Sequence, residues 1–280
     1  MQYRELYEYG VKCLREADIA EAELDARLLL EHICHTDRNT LLVHGEREVG
    51  PGQEKRYAEQ IIERKRHVPL QYITGVQEFM GLTFEVNPHV LIPRQDTELL
   101  VEEAMKELHD GMDILDMCTG SGCILLSLLH YSNDCSGVGA DVSQQALDTA
   151  ARNAAALSVK GAEFVRSDLF AGLEQGRRFD LLVSNPPYIP SAVIPSLMAE
   201  VRLHEPHTAL DGKADGLYFY RTISREAKSY LYRGASVFFE IGYDQGEAVS
   251  GILAEEGYRE IEVRRDFAGL DRVVKCVFLE

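Results

Sequence analysis

Between residues 1 and 75 apolar positions recur three and four apart, the spacing of one helical face. Tyr3 to Ala17 and Ala20 to His35 read as amphipathic helices, with Leu6, Tyr9, Gly10 and Cys13 on the first stripe and Leu24, Leu28 and Ile33 on the second. Leu41 to Val43 and Tyr57 to Ile62 predict two more. From residue 76 the period changes. Phe79 to Val86 and the extended segment through Val90 to Pro93 predict a β-hairpin turning at Asn87-Pro88. Short apolar runs at Asp113 to Met117, Gly137 to Asp141, Ala162 to Val165 and Phe179 to Ser184 then read as strands, and Cys123 to Leu129 as the helix after the first. Ile189 to Asp215, broken by Pro190, Pro195 and Pro206, reads as a long irregular loop of the kind that usually serves function. A helix at Leu217 to Leu231, a strand at Ser236 to Ile241, a helix at Gln245 to Glu256 and strands at Tyr258 to Val263 and Val273 to Leu279 complete the pattern. Strands alternating with helices predict an α/β fold with a largely parallel sheet. No Gly/Ser-rich linker interrupts the chain, so the expected organisation is a helical module over 1–75, an ordered hairpin connection over 76–93 and an α/β domain over 94–280.

Two loops at predicted strand ends carry candidate chemistry. Cys118-Thr119-Gly120-Ser121-Gly122 follows the first strand of the α/β part and precedes a helix, where glycines let backbone approach a ligand above a helix N-terminus. The third glycine of a dinucleotide fingerprint is absent, since Leu125 stands in its place. Asp141 ends the next strand, at a position suited to the two hydroxyls of a ribose, although a helix cap is an equally simple role. Ser167-Asp168-Leu169 follows the third strand, offering an acid and an apolar side chain for an adenine edge and face. Asn185-Pro186-Pro187-Tyr188 follows the fourth. An Asn oxygen and the Pro186 carbonyl can each accept one N–H of a planar –NH2 group, two prolines keep the loop rigid, and Tyr188 offers a flat face to an amide or base.

Taken in order, Asp116 to Gly122, Asp141, Ser167-Asp168 and Asn185 to Tyr188 resemble the landmarks of class I S-adenosylmethionine-dependent methyltransferases. Leu91 to Glu98, Glu205-Pro206 with Ala209-Leu210 and Asp215-Gly216-Leu217, and Asp266 to Arg272 narrow the resemblance to the HemK-like protein-(glutamine-N5) methyltransferases, over nearly the whole chain. The resemblance implies a seven-stranded Rossmann-like sheet with its last strand antiparallel. It implies S-adenosylmethionine as cofactor, held by Cys118, Thr119, Gly120, Ser121, Gly122, Asp141, Asp168, Leu169 and Asn185. The substrate would lie on Asn185, Pro186, Pro187 and Tyr188, of which Asn185, Pro186 and Tyr188 would be catalytic. The implied partner is a class-1 peptide chain release factor, methylated on the glutamine of its Gly-Gly-Gln motif. Two departures stand out: Cys118 occupies a position where the family usually has Gly, and Arg94-Gln95-Asp96 replaces an arginine-proline-glutamate sequence. An enzyme for exocyclic adenine or guanine amines, or a binding scaffold without chemistry, are the competing readings.

Charge bears on that choice. The 280-residue chain has a formal net charge of −17, most of it beyond residue 85, which disfavours a nucleic-acid backbone and suits a basic protein substrate. Six cysteines form no C-x-x-C pair and the histidines do not cluster, so neither a metal site nor a disulfide framework is expected; His204 and His207 flank Pro206 without a metal-site context. Met1 to Gly10 is polar and aromatic, and no run approaches the roughly 18 apolar residues that span a bilayer, so a cytoplasmic location is expected. Arg64 to His67 either contacts an acidic or RNA-bearing partner or complements a helix C-terminus. Glu205 either meets a basic substrate or faces solvent.

Overall fold

The computed structural model describes residues 1–279. Five helices come first: α1 (Tyr3–Arg15), α2 (Ala22–Cys34), α3 (Arg38–Val43), α4 (Pro51–Lys65) and α5 (Leu70–Thr74). A hairpin of β1 (Val76–Phe79) and β2 (Leu82–Glu85) leads to α6 (Gln95–Met105). β3 (Asp113–Met117), α7 (Cys123–His130), β4 (Ser136–Asp141), α8 (Gln144–Ala156), β5 (Ala162–Arg166) and β6 (Phe179–Ser184) follow. After the short helices α9 (Ala199–His204) and α10 (His207–Leu210), the order ends with α11 (Tyr218–Ala227), β7 (Leu231–Glu240), α12 (Gly246–Glu255), β8 (Arg259–Arg265) and β9 (Asp271–Val277). The chain divides into two compact units. One comprises Met1–Gly75 with Met198–His204, the other Val76–Leu197 with Glu205–Glu280.

In the helical unit α1 buries Tyr3, Leu6, Gly10 and Leu14 and packs half-buried Cys13 against them, so of the expected stripe Tyr9 lies off the core. The reason is close packing at Gly10. A Cβ there would come within 2.0 Å of the Tyr57 hydroxyl, which reaches past α1 to donate to the Ala26 carbonyl at 3.1 Å. α2 correspondingly buries Ala26, Leu29, Leu30 and Ile33, while Leu24 is exposed and Leu28 half-buried. Arg64 is also inside. Its Nε donates to Asp25 Oδ2 at 2.7 Å, its Nη1 to the Val68 carbonyl at 3.2 Å, and its Nη2 to Glu200. The first residue of the basic run therefore neutralises two acids of its own unit, Asp25 being pushed up by burial and pulled down by Arg64.

The second unit is built on a seven-stranded sheet in the order β5-β4-β3-β6-β7-β9-β8, parallel except for β9, which runs antiparallel to both neighbours. Alternation along the strands feeds two cores. Leu115, Met117, Leu182 and Phe239 face one beneath α11 and α12, whereas Ile114, Leu181, Val183 and Phe238 face the other beneath α6 and α7. Covering both faces explains why β3 and β6 read as continuous apolar runs. Boundaries differ from the sequence expectation at several elements: α4 begins at Pro51 and not Tyr57, and β9 spans Asp271–Val277 where Val273 to Leu279 is expected. The hairpin turns at Met80-Gly81, both at positive φ, with Phe79 and Phe84 edge-to-face across it, so Asn87-Pro88 lies beyond the second strand. The helix expected to reach Leu231 stops at Ala227, a 3-10 turn covers Lys228–Tyr230, and β7 begins five residues earlier than expected, at buried Leu231 followed by exposed Tyr232 to Gly234, which carry no alternation. The Pro-rich segment after β6 holds short helices too brief to show a period. Among the described residues no helix is long and apolar enough to cross a membrane.

Because Arg64 and Asp25 are both nearly fully buried, removing one partner leaves an uncompensated charge in the helical core. Arg64→Ala should lower unfolding free energy by about 3–5 kcal/mol, read by urea denaturation of the whole chain. A loss below about 1 kcal/mol would show that the pair contributes no more than an exposed one.

Candidate active site

Strand register puts the candidate residues in one row. Met117 pairs with Ala140 on one side and Ser184 on the other, and Ser184 pairs in turn with Phe239. The next residue of each strand or loop is therefore Cys118, Asp141, Asn185 and Glu240, side by side at the carboxyl edge where the strand order reverses. The Ser184 hydroxyl locks two of these strands by donating to the Met117 carbonyl at 2.6 Å.

The loop after β3 is held from below by Asp116. This residue is fully buried; its Oδ2 accepts from the Thr119 hydroxyl at 2.6 Å and from the Leu125 N–H at 3.3 Å, while Oδ1 has no partner among the described residues. Burial pushes its pKa up to about 7, against the two hydrogen bonds that pull it down. The sequence places Asp116 within the landmark run but offers no reason to single it out. Its signal is an acid inside an otherwise apolar strand. The N–H groups of Cys118 and Thr119 both donate to the Ala140 carbonyl, at 2.9 and 3.1 Å, which forces Cys118 to φ 65°. Gly would adopt that conformation without strain. Gly120 also has positive φ, and a Cβ on it would meet nothing within 4 Å, so open space lies above that backbone. Gly122, at φ 80°, is packed instead, its missing Cβ leaving room for Ala150 and Leu126.

Asp141 binds this loop. Its Oδ2 accepts from the Gly120 N–H at 3.0 Å and its Oδ1 from the Ser143 N–H at 2.9 Å, while the cap of α8 is Ser143, which accepts from Ala146. Burial raises the Asp141 pKa although these backbone donors lower it. Ser167 braces the next loop by accepting from Gly172 N–H at 2.8 Å and donating to the Leu169 carbonyl. That leaves Leu169 buried at φ 48° and Asp168 exposed.

An open cleft lies over this edge. It is lined by Cys118 to Ser121, Asp141, Asp168, Leu169, Asn185 and Pro187, by Leu91, Arg94 and Thr97 of the Leu91 to Glu98 stretch, and by residues that sequence reading did not single out, among them His89 and Phe219. Gly122, Pro186 and Tyr188 are not among its lining residues. Asn185 is half-buried and donates through Nδ2 to the Thr97 hydroxyl at 3.3 Å, while its Oδ1 accepts nothing from the described residues. Pro186 is buried, and Tyr188 packs its ring against the core and donates its hydroxyl to Glu240 Oε1 at 3.3 Å. Burial and the Glu240 carboxylate push the Tyr188 pKa far up, so it stays a neutral donor. Glu205 is buried and paired with Arg94 at the cleft wall, and so is not a solvent-facing acid. Among the described residues no group of His, Cys, Asp and Glu is arranged to hold a metal.

An open cleft at the switch point of a sheet ordered this way, with a small-residue loop under an acid, defines a class I methyltransferase. Solved structures share that fold: a methyltransferase from Pyrococcus furiosus superimposes with a TM-score of 0.53 at 15% identity, over 82% of this chain and 100% of that one. Ribosomal protein L11 methylase from Lactobacillus delbrueckii does so at 0.51 and 18%, over 70% and 84%. Sequence similarity is more specific. Residues 5–75 match the PrmC N-terminal domain and residues 94–211 the methyltransferase small domain. Release factor glutamine methyltransferases from Clostridium acetobutylicum and Moorella thermoacetica are 42% and 41% identical, covering 90% and 97% of this chain and the same shares of their own. The chain belongs to the release factor glutamine methyltransferase family.

Cys118 makes the loop testable. A non-Gly residue in the left-handed region costs about 1–2 kcal/mol, and Gly adds about 0.5–1 kcal/mol of backbone entropy on folding. Cys118→Gly should thus leave the protein equally stable or up to about 1.5 kcal/mol more stable, read as the urea midpoint. A clear loss would mean that the packing of the thiol outweighs the strain.

Proposed function

We propose that this enzyme methylates the side-chain amide nitrogen of the glutamine in the Gly-Gly-Gln motif of class-1 peptide chain release factors, with S-adenosylmethionine as methyl donor. The observation that carries the reading is Asn185: an amide pinned by its nitrogen to Thr97, its oxygen uncommitted, at the cleft edge beside the loop bound by Asp141. When bound, S-adenosylmethionine supplies a methyl group already activated by a sulfonium.

The residues present fit that cofactor. The Asp141 carboxylate spends one acceptor position per oxygen on backbone N–H groups and retains capacity for ribose hydroxyls. Asp168 and Leu169 supply a polar edge and an apolar face for adenine, and the open space over Gly120 admits close approach of a ligand. Asn185 Oδ1 and the Pro186 carbonyl would take the two hydrogens of the glutamine amide and aim its nitrogen at the methyl group. The protein's contribution is then orientation and exclusion of water. A net charge of −17 suits a basic protein partner better than a nucleic acid.

Mass spectrometry of release factor incubated with enzyme and cofactor should show one added methyl on that glutamine; labelling of DNA with none on release factor would overturn the reading. Asn185→Ala should lower kcat about 100-fold or more while changing cofactor Kd by less than about threefold, as for loss of a group that mainly orients the transition state. Asp141→Ala should weaken cofactor binding by about 1.5–3 kcal/mol in isothermal titration, and unchanged affinity would reduce Asp141 to a brace for Gly120.

A further inference from the structure

The second acceptor for the substrate amide, the Pro186 carbonyl, is a backbone group whose direction no side chain of its own can set. The sequence removes most of its freedom. Prolines at 186 and 187 fix φ at both positions, and Asn185 and Pro186, each preceding a proline, are confined to extended ψ. What remains is rotation at ψ of Pro187 and φ of Tyr188, so the direction of that carbonyl depends on how the Tyr188 backbone is held. Gln245, 8% exposed at the N-cap of α12, holds it. Its Nε2 donates to the Tyr188 carbonyl at 3.1 Å and to the Gly216 carbonyl at 3.4 Å, while its Oε1 accepts from the Gly242 N–H at 2.9 Å. The amide fits only one way round: turned over, its oxygen would face two carbonyls and its nitrogen an N–H. Two glycines bring further backbone against the same peptide. A Cβ on Gly216 would come within 2.3 Å of the Tyr188 oxygen, and one on Gly212 within 2.7 Å of the Tyr188 carbonyl carbon. Gly216 is the centre of the Asp215-Gly216-Leu217 stretch of the family resemblance, and this contact requires a glycine there.

We propose that Gln245 is a positioning residue for methyl transfer: by holding the Tyr188 carbonyl through Nε2 it fixes, across Pro187, the direction in which the Pro186 carbonyl meets the substrate amide. This rests on the function proposed above, in which that carbonyl takes the second hydrogen of the glutamine amide. The peptide unit joining Tyr188 to Ile189 is bonded at both edges, its carbonyl to Gln245 and its N–H to the Leu210 carbonyl at 3.1 Å. Two bonds on opposite edges fix its plane, whereas one leaves it free to swing. The ring is held separately, its hydroxyl on Glu240 Oε1 at 3.3 Å, so loss of the Gln245 bond would leave Tyr188 in the core and release only the backbone. Substrate would then bind with its amide nitrogen poorly aimed, a defect that appears in kcat and not in binding.

The experiment measures kcat, KM for release factor and cofactor Kd for wild type, Gln245→Met and Gln245→Glu from about pH 5.5 to 9. Methionine keeps the length of the side chain without its donor, so Gln245→Met should lower kcat about tenfold, with KM and Kd within about threefold. A protonated carboxyl copies the amide, its O–H donating to the Tyr188 carbonyl and its other oxygen accepting from Gly242, whereas a carboxylate turns an acceptor toward that carbonyl. Titratable groups on the surrounding elements are Asp244 in the turn before α12, Tyr220 of α11, Tyr188 and Glu240, Asp271 of β9, which lies against Gly246 and pairs with Arg265, and Asp215 beside Gly216, which pairs with Arg221. Both arginines are spent on acids and burial disfavours a new charge, so a carboxyl at position 245 is neutral at the acid end of this range. Gln245→Glu should therefore keep kcat within about threefold of wild type near pH 5.5 and fall toward Gln245→Met as pH rises, read as the ratio to wild type at each pH. Retention of kcat by Gln245→Met, loss of cofactor affinity equal to its loss of kcat, or Gln245→Glu as slow as Gln245→Met near pH 5.5 would overturn the proposal. Should Gln245→Met fail to fold, Gln245→Glu prepared at the acid end decides. A second arm needs no substrate: the backbone amide NMR signal of Ile189, whose peptide carbonyl is that of Tyr188, should move in Gln245→Met and titrate in Gln245→Glu. An unmoved signal counts against Gln245, whereas a moving one in an enzyme whose wild type leaves release factor unmethylated would uphold the clamp and remove the substrate assignment.

Discussion

The parallel pairing of β3 with β4 and β6, and of β6 with β7, is the constraint from which the rest of the site follows. Cys118, Asp141, Asn185 and Glu240 are far apart in sequence and adjacent only because Met117, Ala140, Ser184 and Phe239 share one register. A slip of one residue in any strand would exchange its two faces, sending Leu182 or Phe239 into the wrong core and turning the functional residue away from the cleft. The two cores therefore specify the site. Burial of alternate side chains on both faces makes register costly to change, and the chemistry at the strand ends inherits that precision.

Polar groups at this edge are organised in two tiers. Asp141 and Asn185 face the cleft, while Asp116 lies beneath and holds the loop above through Thr119, and Glu240 accepts from the Tyr188 hydroxyl at the other end of the Asn185 loop. In both cases a hydroxyl, of Thr119 or of Tyr188, carries the constraint, because one proton given to a carboxylate fixes what the oxygen can do next. Low local dielectric strengthens these bonds and also raises the cost of the oxygens left without partners, Asp116 Oδ1 and Glu240 Oε2.

Most of the α/β unit was legible because its strands are covered on both faces and read as apolar runs ended by small residues. β3 and β6 match their expected limits, Asp113–Met117 and Phe179–Ser184. The seven-stranded sheet with its last strand antiparallel came from family resemblance and is what the structure has. The misses have physical causes. Stripe positions on α1 shifted because Gly10 admits Tyr57, a contact between residues 47 apart in the chain that no local period encodes. The hairpin turn was assigned to Asn87-Pro88 because Pro is a stronger punctuator than Gly, yet Met80-Gly81 supplies the positive φ. Within the site, the residues facing the cleft carried sequence signals because loops at strand ends have characteristic composition. Those beneath it did not: Asp116 lies inside a strand and Glu240 ends one, positions whose significance depends on what the sheet brings beside them.

Keeping two carboxyls under a cleft has a definite thermodynamic sign. A group whose folded pKa lies above its unfolded value favours the folded state at low pH and loses that contribution as pH rises through the folded pKa. Asp116 and Glu240, both raised to about 7 by burial, are such groups, so their ionisation near neutral pH works against the fold. Apolar residues of similar volume would satisfy the core with no such loss, but could not fix the direction of a hydroxyl. The network therefore trades stability for orientation, and the sheet can bear it because the strands carrying these acids are anchored on both faces by fully buried side chains such as Leu115, Leu125, Phe238 and Phe239.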